Sequence, residues 1–238
     1  MPHELLVVAD LSRALREEER AAWQRLLRVL GHELNNSLTP IRSMTATLAK
    51  LLAQQPQPQD WREDVGGGLA VIGDRAEALT RFMAGYTALA RLPPPNKRDV
   101  EIGELVRRVA RLEQRLNVVV DDAPALQLRA DPDQIEQALI NLVKNAADAA
   151  LPLHGGVRVR WKREADSARI EIEDDGPGLG TTENLFIPFY TTKPGGSGIG
   201  LVLARQIAEA HGGALTLDSR QGIQHGCVAN LSLPVSEQ

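Results

Sequence analysis

With 238 residues the chain is long enough for one large domain or two small ones, each with a real core. Hydrophobic residues make up 43% and charged residues 24%, but aromatics only 3%, so the core rests on Leu, Val, Ile and Ala. That composition favours helices and aliphatic sheets over aromatic-rich β-sandwiches. A net charge of -4 gives no general attraction to nucleic acid or to an anionic membrane. The single cysteine, Cys227, excludes an internal disulfide framework, fits a reducing cytoplasm, and reads as a small buried hydrophobe in a strand. No stretch approaches the ~20 apolar residues that span a bilayer, and no basic N-region precedes an apolar signal core. The segment is therefore expected to be cytoplasmic and to make no membrane contact, either alone or as part of a longer chain.

Taken in order, Leu5–Asp10 reads as a short strand, so residues 1–11 are either the end of an upstream domain or an ordered tail. From Ser12 to Ala53 the spacing of Leu15, Trp23, Leu26, Leu30, Leu34, Leu38, Ile41, Leu48 and Leu52 predicts one long helix. The stretch Gln54–Pro58 ends it. A second helix follows, with Trp61, Val65, Leu69, Ile72, Leu79, Phe82, Tyr86 and Leu89 on one face. Gly66–Gly68 is unexpected there, because each glycine costs a helix ~1 kcal/mol relative to alanine. Either local flexibility or close packing would account for it. Residues 12–92 thus read as an antiparallel helical hairpin, and pairing two hairpins across a two-fold axis buries both apolar faces in a four-helix bundle.

Three prolines, Pro93–Pro95, make residues 93–98 a stiff linker. Beyond it, residues 99–238 alternate between helix and strand. Helical spacing covers Ile102–Leu112, and Asn117–Val120 reads as a strand. Asp131 caps a helix that opens with Pro132 and runs to Ala150. Val157–Trp161 and Ala168–Ile172 alternate as neighbouring strands. A glycine-rich loop, a helix over Ile199–Ala210, and strands over Ala214–Leu217 and Val228–Leu233 complete the chain. The expected fold class is α+β, a helical hairpin followed by an α/β sandwich with helices on one face of a mixed sheet.

Three segments carry chemistry. In Asp174-Asp175-Gly176-Pro177-Gly178 a strand ends on an acid and turns through glycines, so a fixed carboxylate can accept a hydrogen bond from an exocyclic amine such as that of adenine. Taken alone it is equally a plain turn. Lys193-Pro194-Gly195-Gly196-Ser197-Gly198-Ile199-Gly200-Leu201 opens into a helix, whose free amides suit phosphate. It follows neither the P-loop nor the dinucleotide-binding order. In Asn141-Leu142-Val143-Lys144-Asn145-Ala146-Ala147-Asp148 the two asparagines lie one helical turn apart, and amide oxygens can bind Mg²⁺ alongside phosphate and water. The plain alternative is a polar face, which the surrounding Leu139, Ile140, Leu142 and Val143 weaken.

In chain order these segments resemble the N box and the two glycine boxes of the GHKL ATPases (gyrase, MutL and histidine-kinase type), whose fold is the Bergerat α/β sandwich. Leu185–Lys193 looks like the F box of the histidine kinases, and Gly31-His32-Glu33-Leu34-Asn35-Asn36-Ser37-Leu38-Thr39-Pro40 looks like their H box. The resemblance spans Arg20 to Pro234 and implies a sensor histidine kinase, as a homodimer using ATP and Mg²⁺. It is then either cytoplasmic in its own right or the cytoplasmic portion of a membrane-bound sensor. His32 would take the γ-phosphoryl group, Glu33 would orient the ring or accept its proton, and Asn36 would align water for dephosphorylating the partner. The nucleotide set carried over is Asn141, Lys144, Asn145, Asp148, Asp174, Gly176, Gly178, Lys193, Gly196, Ser197, Gly198, Gly200 and Leu201. Asn145 holds the metal, and either Lys193 or Lys144 neutralises phosphate. The phosphoryl group would pass to an aspartate in the receiver domain of a response regulator.

Two departures stand out. Ser37 replaces a common proline, which would reduce the helix bend there, and the lid between Gly180 and Gly195 is short. Two rival readings are an ATP-binding module without kinase activity and an ATPase clamp. Asn141 stands where the clamp class carries its catalytic acid.

Overall fold

In the computed structural model, residues 12–56, 58–90, 92–121, 123–180, 185–193, 196, 198–220 and 226–235 are described, with backbone alone for helix residues 12–23, 25–27, 29–30, 32–33, 88 and 90. The strand expected over Leu5–Asp10 lies outside the described residues. The chain forms two compact units, Met1–Met83 and Ala84–Gln238.

The first unit is built on α1 (Ser12–Ala53) and most of α2 (Trp61–Ala90). Gly68 has a packing reason. A Cβ there would meet Leu48 Cδ2 at 2.7 Å, so the missing side chain lets buried Leu48 seat against α2. Gly66 and Gly67 have open space around them. Pro40 lies inside α1 and has no N–H to give the carbonyl of Asn36, one turn back. Leu38, Leu52 and Leu69 remain 50%, 50% and 57% exposed.

In the second unit a five-stranded mixed sheet runs in the order β2 (Val118–Val120), β4 (Val157–Glu164), β5 (Ser167–Asp174), β7 (Cys227–Pro234), β6 (Ala214–Ser219). Only β2 and β4 are parallel. Alternation in β4 sends Val157, Val159 and Trp161 into the core, where Ala168, Ile170, Ile172, Leu231 and Leu233 join them. The helices α3 (Ile102–Leu112), α4 (Pro132–Ala150) and α5 (Gly200–Ala210) pack on this face. The opposite face is laced by charge, with Arg160 paired to Glu171 and Glu173, and Lys162 to Glu164 and Glu171.

A second, two-stranded sheet was not expected from the sequence. β1 (Arg98–Glu101) pairs antiparallel with β3 (Gln127–Ala130), so Arg98, placed in the linker by its proximity to the prolines, belongs to a strand. The linker itself is anchored. Asp131 caps α4 by accepting from the amides of Asp133 (3.0 Å) and Gln134 (3.2 Å), and its other oxygen accepts from the amide of Asn96 (2.8 Å). Gln134 Nε2 donates to the carbonyl of Pro93 at 2.9 Å. The buried ring of His211, at the end of α5, accepts the Asp131 amide on Nε2 (3.0 Å) while its Nδ1 faces the Ile207 carbonyl (2.8 Å). The end of α5 and the start of α4 are thereby fixed to the linker.

Burial raises the Asp131 carboxyl, but the amides of Asn96, Gln134 and Asp133, with His211, outweigh it and hold the group below its ordinary value. Its folded pKa is thus lower than its unfolded one. The stability it contributes is present above about pH 4 and is lost as pH falls through the folded value. Asp131→Ala is expected to lower the unfolding free energy by about 1–2 kcal/mol in urea titrations at pH 7. Asp131→Asn keeps one acceptor oxygen for the cap but sets its amide NH2 against the Asn96 amide, so it should retain only part of that stability while flattening the acid loss.

Candidate functional site

Asp174 ends β5 and lies in register between Val157 of β4 and Cys227 of β7. It is buried, and its Oδ1 accepts from the amides of Gly176 (2.8 Å) and Cys227 (3.3 Å). Burial pushes its carboxyl above the usual carboxylate range, more than the two amides pull it down. Gly176 is required here, since a Cβ would stand 2.7 Å from the Cβ of Ala149, so the turn lies directly against α4. Asp175 is treated in the opposite way. It accepts from the Gly156 amide at 2.9 Å and pairs with Arg220, and these hold it below the usual range. One carboxylate faces inward and its neighbour is tied at the surface.

On α4, Asn145 Oδ1 accepts from Lys193 Nζ at 2.5 Å, and its backbone carbonyl accepts from the same ammonium at 3.2 Å. Lys193 also reaches Asp148 Oδ2 at 3.4 Å, while Asp148 Oδ1 accepts from Arg115 at 2.6 Å. Arg115 in turn forks onto both carboxylate oxygens of Glu113 (2.7 and 2.9 Å), and this holds Glu113 below its ordinary value. Burial lowers the Lys193 pKa despite Asp148 and Asp174 nearby. Asn141, one turn before Asn145, has a buried Nδ2 with no partner among the described residues, and its Oδ1 faces Gly200 at the start of α5.

The second glycine segment is described at Gly196 and from Gly198 onward. Gly198 has φ +64°, and a Cβ there would meet the carbonyl carbon of Phe189 at 2.5 Å, so only glycine fits. Its carbonyl accepts from the Phe189 amide at 3.0 Å. The Phe189 ring stacks on Tyr86, with centroids 6.4 Å apart. Ile199, directly before α5, is buried, and among the described residues no side chain caps α5 there. Gly178 has φ +85°, Gly196 donates to the Lys193 carbonyl at 3.1 Å, and Leu201 packs against the core.

Asp174, Gly176, Asn141, Asn145, Asp148, Lys193, Gly198 and Gly200 are therefore brought together in one unit. Lys144 is exposed, in a groove with Glu113, Arg115 and Val143. Ser197 lies outside the described residues, as do the side chains of His32 and Glu33, whose backbone is helical in α1. Asn36 is exposed on that helix. Sequence reading missed Arg115, Glu113 and the Cys227 amide. Nothing in the spacing ties Glu113-x-Arg115 to Asp148, and a backbone donor leaves no side-chain signal.

Among the described residues no group of three or more His, Cys, Asp and Glu side chains could hold a metal. What is present is an amide oxygen, Asn145 Oδ1, that already receives a cation. This donor set suits Mg²⁺, which takes few protein ligands and completes its octahedron with phosphate and water.

Residues 130–237 match the family described as histidine kinase-, DNA gyrase B-, and HSP90-like ATPase. The sensory histidine kinase/phosphatase NtrB of Klebsiella oxytoca is 30% identical over 230 residues, covering 87% of this chain and 62% of that protein. Over the first curated relatives the chain spans between 29% and 65% of their length. Among solved structures, the mycobacterial sensor histidine kinase MprB aligns with a TM-score of 0.52 at 28% identity, covering 58% of this chain and 97% of that one. Histidine kinase ThkA, solved in complex with response regulator protein TrrA, aligns over 96% of this chain and 68% of its own, with a TM-score of 0.66 at 22% identity. The boxes gathered around Asp174 and these relatives agree: residues 130–237 form a histidine kinase-, DNA gyrase B-, and HSP90-like ATPase domain, in a chain similar along most of its length to sensory histidine kinases.

Proposed function

We propose that the chain is an ATP-dependent protein-histidine kinase that phosphorylates His32 and hands the phosphoryl group to an aspartate of a response regulator. The observation that carries this reading is the gathering of Asp174, Asn145 and the Gly198–Gly200 turn in one unit of a chain whose first helix bears His32-Glu33. Asp174, ionised, accepts the adenine amine. The amides at the start of α5 receive phosphate oxygens. Asn145 would hold Mg²⁺, whose charge would offset that of the triphosphate. A ring nitrogen of His32 attacks the γ-phosphorus in line, the new P–N bond forms as the β,γ-bridging P–O bond breaks, and ADP leaves. Glu33 orients the other ring nitrogen or accepts its proton.

The exposed Leu38, Leu52 and Leu69 support a homodimer in which two hairpins close a four-helix bundle. The response regulator as partner follows from the same kinship, since ThkA was solved with one. Asn36, exposed one turn after His32, would align water on a bound phospho-aspartate, and the phosphatase activity named for NtrB supports that role.

Three outcomes test this. Incubation with γ-labelled ATP should leave acid-labile label on the wild type and none on His32→Gln, and an unlabelled wild type contradicts kinase activity. Asn36→Ala should keep that label while dephosphorylation of the regulator falls, and unchanged dephosphorylation contradicts its role. The third concerns pH. The adenine amine needs the ionised carboxylate, and burial raises the Asp174 pKa, so ATP affinity should fall on acidification already above about pH 4. Asp174→Asn should weaken ATP binding by about 1.5–3 kcal/mol, or roughly ten- to a hundredfold, and abolish that acid limb in calorimetric titrations.

A further inference from the structure

We propose that Lys193 is a resident counter-ion, occupying the metal's place on Asn145 until a triphosphate draws it away, so that the site takes a divalent cation only together with nucleotide. The inference rests on the ATP reading given above.

Glu113, Arg115, Asp148 and Lys193 form a chain of alternating sign, with contacts of 2.7, 2.6 and 3.4 Å. Two carboxylates balance two cations, so the chain is neutral as it stands. Its end is the ammonium, seated 2.5 Å from Asn145 Oδ1 and 3.2 Å from the carbonyl of the same residue. A divalent cation entering alone would have to share that amide oxygen with a like charge. Nor is the nearby Asp148 carboxylate free among the described residues, since it already serves Arg115 on one oxygen and Lys193 on the other. The repulsion is moderated by solvent, since the Lys193 side chain is 35% exposed, yet it acts at direct contact, well inside the screening length.

A triphosphate changes the balance. It brings several negative oxygens to the start of α5, and each is a better acceptor for an ammonium than a neutral amide. Lys193 then transfers from Asn145 to phosphate, and the released amide oxygen would be free to hold Mg²⁺ together with the nucleotide. No covalent bond changes. Lys193 is in this account a positioning residue, acting on the metal through Asn145. Lys144, the exposed neighbour of Asn145 on α4, makes no such contact among the described residues.

The experiment is Mn²⁺ binding to the nucleotide-free full chain, read by electron paramagnetic resonance of the free ion. Wild type and Lys193→Arg, which keeps the charge, should bind weakly. Lys193→Met and Lys193→Gln should bind about tenfold or more tightly, and adding Asn145→Ala to Lys193→Met should remove the gain. Neutral variants that bind Mn²⁺ like wild type, or a gain that survives Asn145→Ala, overturn the proposal. A fluorescent ATP analogue, titrated with Mg²⁺ present, separates the two readings. Wild type that fails to bind it contradicts the ATP site and the exchange together. Analogue binding by wild type, with Mn²⁺ affinity unchanged in Lys193→Met, contradicts the counter-ion role alone.

Discussion

A buried carboxylate at the end of a central strand is the constraint from which the second unit is organised. Asp174 would be costly there without donors. The fold supplies them from the backbone, through the amide of Gly176 in the turn it begins and that of Cys227 on the neighbouring strand. Meeting this need requires a turn tight enough to lie on Ala149 of α4, and a β7 that starts close enough to face it. A Cβ on Gly226 would stand 2.4 Å from the Asp174 carbonyl, so the approach of β7 also excludes a side chain just before Cys227. The placement of the acid and the glycines around it are one requirement.

The second organising element is α4, which meets the turn at Gly176, the start of α5 at Gly200, and Lys193. Its start is held to the linker by Asp131, Gln134 and His211, its middle carries Asn141 and Asn145, and its later turns carry Asp148 and the Ala149 surface. Rigid support of this kind matters for phosphoryl transfer, where the protein contributes mainly position and charge. The clamp-type alternative has little support in this geometry. Asn141 offers no carboxylate to activate water, and its buried Nδ2 is a donor rather than a base.

Much of this was legible in the sequence because it depends on local periodicity. The bounds of α1 and α3 follow from apolar spacing, the start of α4 from Asp131-Pro132, and β4 and β5 from strict alternation. The small sheet of β1 and β3 was not legible. Each strand has four residues, two of those in β1 are acidic, and their pairing depends on contacts nearly thirty positions away. Gly68 shows the same limit, since its reason is Leu48 on another helix. Between Lys193 and Lys144 the sequence had no means of choosing, because both are lysines near a box. In space the two differ: Lys193 reaches Asn145, while Lys144 is exposed at the surface. Cys227 reads in sequence as a small apolar strand residue. Burial pushes its thiol up to about 12, consistent with that reading, while its amide does the site's work.

The proposed recognition of an exocyclic amine by the buried Asp174 carboxylate is tested most directly by base selectivity. Guanine presents a carbonyl oxygen where adenine presents that amine, so it would set an acceptor against the Asp174 carboxylate. Calorimetric titration of the chain with ATP and with GTP, both with Mg²⁺, should give at least about tenfold tighter binding of ATP. Equal affinities would contradict the assignment of Asp174 as the residue that recognises the base.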